Sequence, residues 1–275
     1  MKKRTKNRII ICLVAFFLAF TFVLLAGFTI KTVIRLNPFG NNHNGFICND
    51  SASDTTPNET LTKFANDNNL DISEWNESLI KLMNLNPEAE EFVLNYPLLK
   101  DTEQKIDLSG YDYTTSVPHF IQWDKSWGYT PYGSGVIGTS GCGPTSLSMV
   151  AVHLLQDTTY DPKYVAKFSE EYGYCVPGNG TAWSLMSEGA QQLGLCSEEI
   201  PLDEDIIKEK LESGSPIICI MDKGHFTTDG HYIVMTDYVD GKIKVNDPNS
   251  YSRSEQLWNY DDIQGEILNM WAYSV

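Results

Sequence analysis

Basic residues are scarce in most of this sequence. Beyond residue 35, 13 Lys and Arg stand against 36 Asp and Glu, a net charge of −23, whereas residues 1–35 hold seven basic side chains and no acid. A body that acidic repels phosphate backbones, which argues against nucleic acid as a partner. The six cysteines include no C-x-x-C pair, and no Cys/His cluster has zinc-site spacing, so no metal or other cofactor is called for. Nor do six cysteines in 275 residues amount to a disulfide scaffold, because a chain of that length can build its own core. Internal repeats are lacking too. What remains, 42% hydrophobic and 20% charged, is a globular composition.

One long apolar run is present. Residues 9–28 (IIICLVAFFLAFTFVLLAGF) carry no charge, and twenty residues of helix span about 30 Å, the thickness of a bilayer's hydrocarbon core. Five basic residues precede the run and only Lys31 and Arg35 follow closely. That bias predicts a cytoplasmic tail (1–8), a transmembrane helix (9–28) and a body outside the cell. The rival reading is a cleaved signal peptide, but the run exceeds the usual apolar core of one and no Ala-x-Ala site follows. An uncleaved single-pass anchor is the reading adopted.

Residues 29–70, rich in Asn, Asp, Ser, Thr and Gly, read as a flexible spacer. Residues 71–115 read as a helical prelude. Asp71 or Ser73 caps a first helix with Trp75, Leu79, Leu82 and Met83 on one stripe, and a second begins at Pro87 and is stopped by Pro97. No chemistry-bearing cluster is visible there, so the prelude is expected simply to pack on the main domain. From 116 onward, GPTSLSMVAVHLLQ (143–156) is apolar on nearly every side and predicts a buried central helix. Asp161-Pro162 opens another helix, Thr181 caps a third and Asp203 a fourth. PIICIM, HYIVMTDYV, KIKVND and EILNMWAYSV then read as strands, with a hairpin turn at Asp240-Gly241. Helices followed by strands predict an α+β domain over 116–275.

Cys142 lies in GTSGCGPTS, with Pro144 where a first helical turn begins. A cysteine at a helix N-terminus faces unpaired N–H groups and the positive dipole end, which favour the thiolate. Such a nucleophile needs a base. His43 is in the spacer, His153 is about 16 Å along the same helix, and His119 reads as a packing residue. His225 is in a loop, while His231 opens a strand that can hold its ring, so His231 is the chosen base. The orienting group depends on register. A two-residue turn at 240–241 puts Asn246 on the His231 face, and a three-residue turn with a bulge puts Asp247 there. Spacing alone leaves both open. Cys175 and Cys196 are a candidate disulfide.

Four motifs in order, QWDKSWGYTPYG (122–133), GTSGCGPTSLSMV (138–150), GHYIVMTDYVDGKIKVNDPNS (230–250) and the closing WNYDDI and NMWAYSV, carry a resemblance. The stretch 118–275 resembles the papain-like cysteine peptidases related to bacteriocin-leader-processing domains, cysteine peptidase family thirty-nine and its stand-alone bacterial relatives. NPEAEEFVLNYP looks like the helical prelude of those relatives. The resemblance implies a papain-like fold, Cys142 as nucleophile, His231 as base, Asp247 as orienting carboxylate and Gln122 as oxyanion-hole residue. Here Gln122 stands twenty residues before Cys142, farther than papain-like enzymes usually place it. With one apolar span and no phosphate-binding loop in view, leader removal coupled to export is not implied.

The expectation is therefore a membrane-anchored extracytoplasmic thiol peptidase acting on a peptide or protein through Cys142, His231 and Asp247. Its rivals are a cell-wall peptide hydrolase using the same residues and a silent peptide- or wall-binding module on the same frame.

Overall fold

A computed structural model describes residues 55–275 of the chain. The basic tail, the apolar span 9–28 and the first part of the spacer lie outside the described residues. Among the described residues no helix is long and apolar enough to cross a membrane.

The prelude is built by side-chain caps. Asn58 Oδ1 accepts from the Leu61 N–H at 2.9 Å and starts α1 (Glu59–Asp67). Leu61 and Ala65 of that helix are buried against Trp75, Leu79, Met83 and Val93. The flexible-spacer expectation for 29–70 is thereby corrected at its C-terminal end, where two apolar positions four residues apart find a core. Asp71 caps only a single 3-10 turn, Ile72–Glu74, and it is Asn76 that starts α2 (Glu77–Leu85), accepting from the Leu79 N–H at 3.0 Å. α3 (Glu90–Leu99) runs through Pro97 rather than ending at it. Proline has no N–H for the carbonyl four residues back, and the indole of Trp75 supplies the missing donor, reaching the Val93 carbonyl at 2.6 Å.

The main domain follows the expected order. α4 (Cys142–Leu155) is buried along its first eleven residues, and α5 (Pro162–Glu171) is capped by Asp161, which accepts from the Tyr164 N–H at 2.8 Å. Thr181 caps no helix; it lies in a two-residue strand and its hydroxyl bonds that of Tyr132 at 2.8 Å. Then come β1 (Cys196–Glu199), α6 (Glu204–Glu212), β2 (Ile217–Met221), β3 (His231–Val239), β4 (Lys242–Asn246), α7 (Tyr251–Ser254), β5 (Leu257–Trp258) and β6 (Ile267–Ser274). The last six strands form one antiparallel sheet in the order β1-β6-β2-β3-β4-β5.

Alternate side chains of a strand point to opposite faces, and the core divides accordingly. Ile218, Ile220, Tyr232, Val234, Trp271 and Tyr273 pack toward α4 and α5. Ile217, Cys219, Met221, Ile233, Met235 and Val245 pack toward Ile207 and Leu211 of α6. The first face holds the central helix over β3, where the Ser146 hydroxyl reaches the Tyr232 carbonyl at 3.4 Å.

The β3–β4 hairpin matches neither register considered from sequence. Its turn has two residues, Asp240 and Gly241, both at positive φ (+52° and +76°), with Val239 opposite Lys242. The extra residue sits inside the strand: Asp237 pairs with Lys244 but Met235 with Val245, leaving Thr236 bulged. A bulge moves every later side chain to the other face, so Asp247, not Asn246, follows on the His231 side.

Candidate active site

Cys142 is the first residue of α4 and is 1% exposed. The glycine after it is required by close approach, since a Cβ on Gly143 would stand 2.7 Å from the Thr181 side chain. A Cβ on Gly138 would run into the ring of Phe92, so the prelude docks directly on the segment leading to Cys142. Cys142 is disulfide-bonded in this structure. Cys175, Cys196 and Cys219 are free thiols. The Cys175–Cys196 pairing is thus corrected: Cys175 lies in a ribbon opposite Thr181, while Cys196 is on the sheet edge opposite Ser274. Burial pushes the Cys175 and Cys219 thiols up.

His231 begins β3, beside Tyr232, and its side chain is 4% exposed. Its Nε2 lies 2.7 Å from Asp247 Oδ1. The same oxygen accepts from the Asn249 N–H at 2.7 Å, and Oδ2 accepts from Arg253 Nε at 2.5 Å. Burial by itself would raise the Asp247 carboxyl; the electrostatic attraction and hydrogen bonds of the His231 ring and the Arg253 guanidinium outweigh it and hold the group down at about 2. The backbone of Asp247 is fixed as well. Its N–H donates to Ser254 Oγ at 2.8 Å, and its carbonyl meets His119 Nε2 at 2.7 Å. Burial lowers His119, so the neutral ring donates that bond. His119 is therefore a brace for the Asp247 loop rather than plain packing.

With the carboxylate accepting at Nε2, the His231 tautomer carries its proton there and leaves the Nδ1 lone pair as the ring's base. Asn246 turns the other way and donates to the Val117 and Pro118 carbonyls at 3.0 and 3.2 Å.

Gln122 reaches the site despite its distance in sequence. Its N–H donates to the Pro248 carbonyl at 2.7 Å and its Nε2 to the Gly138 carbonyl at 2.9 Å, tying the Asp247 loop to the approach to Cys142. One amide hydrogen uses the Gly138 carbonyl, leaving a second for a ligand. The Oε1 atom is buried with no hydrogen-bond partner among the described residues.

A cleft of about 200 Å³ opens over these residues. Gln122, Thr139, His231 and Arg253 line it, with α2 of the prelude on one wall and residues 224–228 on the other. His225 is on the second wall, half exposed, with Nδ1 2.5 Å from Glu266 Oε1. Cys142 is not a lining residue of this cleft, in keeping with its buried, disulfide-bonded sulfur. Gly138 and Thr139 bring its segment to the rim, and Ser146, one turn further along α4, touches the residue after His231.

Three contributors were missed from sequence. Arg253 had one available signal: it is the only arginine after Arg35. Asn86 and Glu88 had none. Asn86 Nδ2 donates to the Asn249 carbonyl at 2.6 Å, and Glu88 accepts from the Ser250 and Ser252 hydroxyls and the Tyr251 N–H, each at 2.7 Å. The expectation that the prelude only packs is corrected: it buttresses the loop that carries Asp247 and Arg253.

Residues 114–275 match the Peptidase_C39 like family. The chain belongs to that family. Among solved structures, a C39-like protein of Bacillus anthracis is similar at 15% identity and a TM-score of 0.40, over 58% of this chain and 94% of that one. The peptidase domain of Streptococcus ComA, a bi-functional ABC transporter involved in a quorum sensing pathway, is similar at 22% identity and a TM-score of 0.38, over 50% of this chain and 92% of that one. A search of curated proteins finds no match.

Proposed function

We propose that the chain is a thiol peptidase, anchored by residues 9–28 with its body outside the cell, and that Cys142, His231 and Asp247 carry the reaction. In the reduced enzyme the Cys142 thiol gives its proton to His231 Nδ1, and the thiolate attacks the scissile carbonyl carbon. The second Gln122 amide hydrogen, together with the field at the start of α4, stabilises the oxyanion; such a donor is worth about 3 kcal/mol in comparable enzymes. Collapse of the tetrahedral intermediate breaks the C–N bond as His231 returns the proton to the leaving amine. Water, deprotonated by the same Nδ1, then releases the acyl group and restores the thiol. Asp247 holds the tautomer and offsets the imidazolium charge.

What carries this reading is the buried His231–Asp247 pair, 2.7 Å between Nε2 and Oδ1, at the start of β3, where the neighbouring Tyr232 carbonyl meets Ser146, one turn along α4 from Cys142. The basic residues before the apolar run support the orientation. The test is incubation of the full-length reduced protein, beside its Cys142→Ala variant, with a synthetic peptide library read by mass spectrometry. Cleavage products that appear with wild type and vanish with the variant are expected. No Cys142-dependent product from any peptide would leave the frame as a binding module.

A further inference from the structure

The cleft has a charge signature that its surroundings do not. The chain beyond residue 35 carries 36 acids, yet among the described residues no Asp or Glu lines the cleft, whereas Lys81, His225, His231 and Arg253 all do. His225 is matched by Glu266 and His231 by Asp247. Arg253 gives only Nε to Asp247, so its Nη donors remain. Lys81 is different again. It makes no ion pair among the described residues, and Glu77, one turn earlier on α2, does not reach it within 4.0 Å. Beside Lys81 on the same wall lie Leu82, half-buried, and Leu85, 47% exposed.

We propose that Lys81 is a specificity-determining residue that seats a carboxylate of the peptide substrate in this cleft, with Leu82 and Leu85 taking a neighbouring apolar side chain. The proposal rests on the peptidase reading of the site and adds the substrate class: peptides with an acidic residue close to the scissile bond. A long apolar and cationic side chain on a preformed wall gives a carboxylate one charge-assisted bond and a partly desolvated setting. The acidic body works against such a substrate at long range. Beyond about 8 Å, however, physiological salt screens that repulsion, and inside the cleft the lining cations set the local potential. Lys81 belongs to α2, outside the family-matched residues 114–275, so the prelude supplies a selectivity that the peptidase domain lacks by itself.

The experiment uses full-length reduced protein and its Lys81→Met and Lys81→Glu variants with paired synthetic peptides, identical except for Glu or Gln near the cut. Wild type should prefer the Glu member of each pair. That preference, as a ratio of kcat/KM, should fall about tenfold in Lys81→Met, the size expected for a hydrogen bond to a charged group, and should reverse in Lys81→Glu. An unchanged ratio in both variants overturns the proposal. If wild type cleaves no peptide, the peptidase reading fails separately, and the same pairs carrying a fluorophore decide the issue by anisotropy. Preferential binding of the Glu peptides that is lost in Lys81→Glu supports the seat, and equal binding by all three proteins removes it.

Discussion

Asp247→Asn is the sharpest perturbation of this site, because it keeps the size of the side chain and changes only charge and one donor. Both oxygens of Asp247 are used: Oδ1 by His231 and Asn249, Oδ2 by Arg253. An asparagine can satisfy one set only by aiming its NH2 at a donor of the other. The carboxyl is held at about 2 against an ordinary 3.8, and each unit is worth about 1.4 kcal/mol, so the ionised form contributes about 2 kcal/mol to stability. Breaking a buried pair from one side typically costs more, about 3–5 kcal/mol, and the variant should lose about 2–4 kcal/mol near pH 7. The folded pKa is depressed, so this stability is fully present above about pH 4 and is lost as pH falls through about 2. By about pH 3 the gap between wild type and variant should have narrowed by about 1 kcal/mol, since protonated Asp247 presents the same donor conflict as asparagine. Urea unfolding followed by tryptophan fluorescence at several pH values measures it. A variant as stable as wild type near pH 7, or a gap that does not narrow toward pH 3, would refute the reasoning.

Other outcomes are equally specific. His231→Ala should lower kcat by several orders of magnitude, whereas His225→Ala, at the half-exposed wall, should act mainly through KM; loss of kcat in His225→Ala alone would reverse the assignment. Iodoacetamide mapping without reductant should label exposed Cys196 and leave Cys142 and buried Cys219 unmodified, and a reducing agent should add Cys142 together with activity; labelling of Cys142 before reduction would contradict the disulfide. Glu88→Gln should cost about 1–2 kcal/mol of stability, because an NH2 replaces an acceptor facing the Tyr251 N–H or the serine hydroxyls. Its carboxyl is depressed by those donors against the opposing effect of burial, so the deficit should shrink as pH falls below the ordinary carboxylate range; a pH-independent deficit would point to packing instead.

The sequence was most readable where local chemistry and fold agree. Asp161 and Asp203 cap the helices they were expected to cap, and Asp240-Gly241 turns the hairpin it was expected to turn. Period-2 apolar strands sorted themselves onto two faces. Residues whose partners are distant in sequence were not readable. The bulge at Thr236 leaves no mark in composition, yet it selects Asp247 over Asn246. Short edge strands such as Cys196–Glu199, polar along most of their length, carry no period to detect. α1 was hidden because a helix with two buried positions, Leu61 and Ala65, looks like polar spacer until Trp75 covers it.

The prelude shows how a segment outside the family-matched region can belong to the working unit. Three independent ties join it to the main domain. Phe92 stacks on Tyr129 at 4.4 Å between ring centroids and abuts Gly138, four residues before Cys142. Asn86 holds the Asn249 carbonyl, and Glu88 holds the start of α7. The first tie bears on the segment leading to Cys142 and the other two on the loop that carries Asp247, so displacing the prelude would loosen both sides of the candidate site together. Arg253 strengthens that coupling, since α7 holds Asp247 at two points, the guanidinium of Arg253 on Oδ2 and Ser254 Oγ on the backbone N–H, and Glu88 fixes where α7 begins. Glu88 thus acts on His231 at two removes, through α7 and then Asp247. A fault in the prelude should accordingly appear first in the pH dependence of catalysis and only later in the fold, because the peptidase core of α4 and the sheet has its own buried apolar cluster and does not need those polar ties to stay folded.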